Sequence, residues 1–272
     1  MKYILLITTV ILLSGCQIEG DYWASDYPRE QYGLEIDQAA AHDLSQSLEY
    51  YEDLSLLPGR IARSPYAFLD DSGSEAAIPP LLELVNLAGS AFFNWYDWEP
   101  VACTLVMSNH SGVIEEDYWQ QRGEITGRWE AQECLDNHYD PIYFQANMKT
   151  HVDWVTEEYG SGLSQLYGTT TLDMLYESYH GSIRLMQSQI HTEQLFWGEI
   201  ESHFDLLFNI ENDDQHGLLS VITKEPLVFE PGDTLASSGW IQFKTDDHIL
   251  NLYILNDVVR LVLDGYWLAD YS

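Results

Sequence analysis

The sequence predicts an α+β, mainly β domain: two helices, then an antiparallel meander of about ten or eleven strands forming a curved sheet, a sandwich or a partly open barrel. Three observations carry this. Apolar residues recur at helical spacing in two stretches of the N-terminal third, and from Pro100 onward they alternate with polar ones. Turn residues interrupt that alternation at short intervals, so successive strands are joined locally and run antiparallel. No repeat of fixed length is present.

Composition supports a folded body. Of 272 residues, 46 % are hydrophobic and 13 % aromatic, well above what segments too polar to build a core contain. Acidic side chains number 44 against 11 basic ones, a formal net charge of -33. Phosphate backbones and anionic lipid surfaces repel such a chain, so nucleic acid is excluded as a partner.

The first sixteen residues stand apart from the fold. Lys2 precedes the apolar run Tyr3 to Leu13, too short to span a bilayer, which needs about 20 residues. Leu13, Ser14, Gly15 and Cys16 follow. This run resembles the lipobox of bacterial lipoproteins, whose cysteine is acylated and becomes the first residue of the mature chain. The resemblance implies a signal peptide over 1–15, lipidation at Cys16 and a lipid anchor held in the membrane. Gln17, rather than Asp, after the cysteine implies delivery to the outer membrane. Loss of Lys2 leaves 10 basic against 44 acidic side chains, a net -34.

Residues 16–35 read as a lipidated tether, mixing carboxylates with Tyr22, Trp23, Tyr27 and Tyr32 around Pro28 and showing no period. A single β-rich domain then occupies 36–272. Its first helix covers about 36–57: Ile36, Ala40, Leu44, Leu48 and Tyr51 form one stripe, Asp37 supplies a first-turn carboxylate and Pro58-Gly59 ends it. A second, at about 79–93, starts at Pro79-Pro80 and is apolar nearly all round, as a buried core helix is. Ser64 to Ile78 is a polar loop.

Two long strand runs follow. Ile142, Phe144, Ala146, Met148, Val152 and Trp154 share one face. Phe196, Ile200, Phe204, Leu206, Phe208 and Ile210 share another, and a run this long predicts a bend, bulge or break near Gly198. Asn256-Asp257 predicts a two-residue hairpin turn. Ser108 to Gly112, Gln121 to Gly123 and His180-Gly181 predict further reversals. The carboxylates on the polar faces speak against a membrane-spanning barrel.

With Cys16 acylated, Cys103 and Cys134 remain as the pair expected to form a disulfide in an oxidising compartment. Topology opposes this. Reversals near 110 and 122 make a three-strand meander with the two cysteines at far ends, roughly 20 Å or more apart. Either the third strand ends early, or strands cross between sheets, or the thiols are free.

Chemistry-bearing patterns are few. His151 with Asp153 and His191 with Glu193 alternate on strands as metal ligands can, but isolated pairs on wet faces are normally solvated, so no metal and no cofactor follows. Trp119, Trp129, Trp240 and Trp267 lie among polar neighbours and could stack on sugar rings, although rings this large are mostly buried. The run Trp197-Gly198-Glu199-Ile200-Glu201-Ser202-His203 resembles the catalytic strand of laminarinase-type β-glucanases, β-jelly-roll enzymes carrying Glu-x-Asp-x-Glu or Glu-x-Asp-x-x-Glu. The resemblance implies Glu199 as nucleophile, with Glu201 where the family has Asp. His203 or Phe204 occupies the acid/base position, so the group that protonates the leaving oxygen is missing. An exposed acidic strand face accounts for the same residues.

The sequence therefore points to an outer-membrane-anchored lipoprotein with a non-enzymatic binding or structural role in the cell envelope, its partner an envelope protein or a glycan. The alternative is a lipid-anchored polysaccharide-acting glycoside hydrolase of β-jelly-roll type using Glu199 and Glu201.

Overall fold

The computed structural model describes residues 32–48, 51, 54–55, 84–93, 102–116, 120–136, 138–156, 163–194, 198–230, 235–256 and 258–271. Cys16, the leader, most of the tether and Pro58-Gly59 lie outside them. Residues 31–272 pack as one unit. Its elements are β1 (Tyr32–Gly33), α1 (Gln38–Gln46), a helical stretch α2 at 84–92, and eleven further strands. These are β2 (Ala102–Glu116), β3 (Gln120–Leu135), β4 (Tyr143–Thr156), β5 (Leu163–Ser178), β6 (Gly181–Gln194) and β7 (Ile200–Asn212). Then come β8 (Gln215–Phe229), β9 (Ser238–Lys244), β10 (Ile249–Leu255), β11 (Val258–Leu263) and β12 (Tyr266–Tyr271). Strands β2 to β12 follow one another across a single antiparallel sheet, and β1 adds to β8 in parallel. The mainly β meander that the alternation predicts is the fold observed.

β1 and the buried Leu34 belong to the packed unit, which therefore begins upstream of the Ile36 boundary that periodicity gives. Asp37 acts as N-cap rather than as a first-turn residue: its carboxylate accepts from Ala40 N at 2.8 Å, satisfying one of the donors left open at a helix start. α1 ends at Gln46 with Ser47 as its C-cap, short of the predicted 57; Leu48, Tyr51, Leu54 and Ser55 beyond it are helical.

One face of the sheet is sealed by the helices. Leu44, Tyr51, Leu84, Val85, Leu87 and Ala88 share a continuous core with Phe144, Leu172, Ile183, Phe208, Val221, Phe243 and Leu252. Tyr51 meets Phe204 edge to face at 4.9 Å. At the β12 edge of the sheet His42 of α1 meets the Tyr271 ring, and at the central strand Asn212, the last residue of β7, donates through Nδ2 to the Phe92 carbonyl at the end of α2. No helix among the described residues is long and apolar enough to cross a membrane.

Strands of this length need local devices. Register shifts in the β6–β7 and β7–β8 ladders fall beside Leu207 and Phe204, and side chains take up both amides. Leu207 N donates to Ser188 Oγ and Phe204 N to Thr223 Oγ1, each at 3.0 Å. The break predicted near Gly198 is real: Gly198 has φ +85 and β7 starts at Ile200. Asn256 turns at φ +55 between β10 and β11, as Asn256-Asp257 predicts. The His180-Gly181 reversal also stands. Gly181, at φ +148, lies so close to the Glu211 carbonyl that no Cβ fits there.

Two predicted reversals are overturned. Ser108 to Gly112 lies inside β2, where the ladder slips between Ser108 and Ser111 but the strand continues, and Gln121 to Gly123 is paired residue by residue within β3. Glycine and asparagine here mark a bulge and a paired strand start rather than turns, because the ladder on both sides is continuous. The three-strand meander therefore does not exist. β2 and β3 form one long hairpin whose register sets Cys103 directly opposite Cys134, and Cys134 is disulfide-bonded.

Candidate functional site

With one face sealed, the chemistry lies on the solvent face, where register decides which residues become neighbours. One transverse row runs Arg122, Asp153, Tyr167, Glu193, Glu201 across β3 to β7. The Arg122 guanidinium pairs with Asp153 at 2.8 Å. Loss of water, and then the Glu193 carboxylate, raise the Tyr167 phenol above its ordinary ionisation range, while Gln165 donates to its oxygen. The adjacent row runs Glu124, His151, Thr169, His191, His203. Here Thr169 Oγ1 lies 3.0 Å from His191 Nδ1, and the His191 and His203 ring centroids are 6.4 Å apart.

A recess of about 340 Å³ opens on the same face over β3, β4 and β5, lined by Thr126, Arg128, Asn147, Lys149, Thr171 and Asp173. Arg128 is held by Glu130 at 2.6 Å and by Gln145 at 3.1 Å, both through Nη2. Its Nε is buried and has no hydrogen-bond partner. Lys149 pairs with Glu124 at 3.0 Å, and Asp173 accepts from Gln187 N. Two cations already paired with carboxylates, two threonines and an amide around Asp173 suit a small polar ligand bearing hydroxyl groups.

The residues singled out by the glucanase resemblance are distributed differently. Glu199 is half-buried just ahead of β7. Glu201, also half-buried, points to the solvent face opposite Glu193 of β6 and Val228 of β8. Phe204 turns into the core, whereas His203 is exposed on the face of Glu201. The recess over β3 to β5 contains neither glutamate. Trp197 and Trp119 lie outside the described residues. Trp240 stacks on Tyr253 at 5.2 Å, and the exposed Trp267 donates through Nε1 to Asp270.

Periodicity within a strand pairs His191 with Glu193 and misses His203. The signal that finds it is a mirror pattern, His191-Thr192-Glu193 followed by Glu201-Ser202-His203. Folding that segment as a hairpin sets like residues face to face. No protein-family model matches the chain, and neither a curated protein nor a solved structure does.

Proposed function

We propose that the protein is a lipid-anchored lipoprotein of the outer membrane that serves the cell envelope as a non-enzymatic binding or structural module. Its partner is an envelope protein or a glycan. The observation that carries this reading is the leader, Lys2 and an apolar run ending in Leu13-Ser14-Gly15-Cys16. A disulfide-bonded Cys134 supports it, because such bonds persist in oxidising compartments outside the cytosol. The division of the sheet supports the binding role: helices occupy one face, and the other presents a broad polar surface with a recess on rigid strands. In cells given labelled palmitate, the parent chain should carry label and sediment with membranes, whereas Cys16→Ser should carry none and become soluble. A labelled, membrane-bound Cys16→Ser chain would refute the assignment.

A further inference from the structure

We propose that His191 and His203 form a two-imidazole site for a late first-row divalent cation, copper(II) or zinc(II), on the solvent face of the β6–β7 hairpin. They are Cα partners across the antiparallel ladder, both exposed, with ring planes 37° apart and centroids at 6.4 Å. Two imidazoles each bonding one metal at about 2.0 to 2.1 Å hold their centroids about 5 to 6.5 Å apart as the angle opens from tetrahedral to linear. The observed separation is at the wide end of that range, and a small ring rotation of the exposed His203 closes it. Thr169 Oγ1 already engages His191 Nδ1 at 3.0 Å. When that nitrogen carries the proton and donates to the hydroxyl, the Nε2 lone pair is left for metal, the usual outer support of a ligating histidine.

The surroundings favour a cation. Glu193 and Glu201 sit one step along the face from the two histidines and oppose each other, and Asp205 follows His203 on the same face. In a chain of net charge -33 these carboxylates raise the local cation concentration. Among the described residues no set of three or more His, Cys, Asp or Glu could hold a metal ion, so water completes the coordination. Imidazole, not carboxylate, gives the selectivity: borderline metals prefer nitrogen, whereas magnesium and calcium prefer oxygen.

The test is titration of the full-length protein with Cu²⁺ in excess Mg²⁺, which occupies the carboxylates, read by calorimetry and electron paramagnetic resonance. One equivalent should bind with two nitrogen couplings. His203→Gln and His191→Gln should each weaken binding on the order of tenfold or more and remove one nitrogen. Combining them should leave no nitrogen-coupled copper, and His151→Gln, two strands away from His191 along the row, should bind as the parent does. All three positions are exposed, so the substitutions leave packing intact. A parent-like titration of His203→Gln, or an equal loss in His151→Gln, would overturn the site.

Discussion

Replacing Cys134 by serine is the most informative single perturbation of stability. Register sets Cys103 and Cys134 opposite each other near the open end of the β2–β3 hairpin, where directly paired Cα atoms are about 4.5 to 5.5 Å apart, inside the span a disulfide accepts. A Cys103–Cys134 bridge closes a loop of roughly thirty residues, for which chain entropy assigns about 3 to 4 kcal/mol. Hydrogen bonds of the hairpin persist without the bridge, so the loss appears as a less constrained unfolded state rather than a changed native one. At about 2 to 4 °C per kcal/mol for a domain of this size, melting should fall on the order of 10 °C. Calorimetry of Cys134→Ser against the parent, with and without reductant, reads this directly. Reductant should bring the parent down to the variant and leave the variant unmoved. Free thiols titrating in the folded, unreduced parent at these positions, or equal melting temperatures, would refute the argument.

Two further outcomes follow from particular residues. The Tyr51 ring is wholly buried, burial pushes its phenol far above the ordinary range, and the nearby Ser47 hydroxyl, already donating to Leu44 O, offsets little of this. With the Tyr51 hydroxyl unpartnered in the core, Tyr51→Phe should stabilise by about 1 kcal/mol in urea melts while Tyr51→Ala costs about 3 to 5 kcal/mol, and a destabilised Phe variant would contradict it. Asp264 accepts from Ile249 N and meets His248 Nδ1 at 2.8 Å. The His248 contact first, and the backbone bond second, hold its carboxyl below the usual 3.8. A depressed carboxylate contributes stability above its unfolded value that is lost as pH falls through the folded one. Asp264→Asn should therefore flatten the acid limb of a stability profile below about pH 4 and leave its slope at neutral pH unchanged, as pH-dependent melts would show.

What the sequence made legible was everything that depends on period. The β4 run from Phe144 to Val152 and the β7 run from Ile200 to Ile210 bury the residues that alternation assigns to the core. Helix α1 shows its stripe because residues at helical spacing must share a face. Turn chemistry was legible only where a positive φ is required, at Asn256 and Gly181. At Ser108 to Gly112 and Gln121 to Gly123 the same residue types sit within paired strands, the first at a bulge in the edge strand β2 and the second in a continuous stretch of the β2–β3 ladder. That misreading alone set the two cysteines apart. The His191–His203 pair was hidden for a different reason: contact across strands depends on register, and register follows from where the chain turns, which a single strand's pattern does not contain.

The covered core leaves the polar side chains of the strands on the opposite face. Helical residues share the core on one face, and the recess over β3 to β5 lies on the other, polar face. On that face most carboxylates are solvated, and repulsion between them makes a dispersed acidic surface a poor anion binder. Arg128 and Lys149 come together at one point of that face. Two of only eleven basic side chains in the sequence border one recess, each tied by a carboxylate, so the local charge is near balance while donors remain. A neutral, hydroxyl-rich ligand meets no net repulsion there, whereas a polyanion would have to cross the surrounding field first. The recess and the histidine pair, on adjoining strands of the same sheet, thus suit different chemistries: hydrogen-bonding groups at β3 to β5, and a nitrogen-seeking cation at β6 and β7.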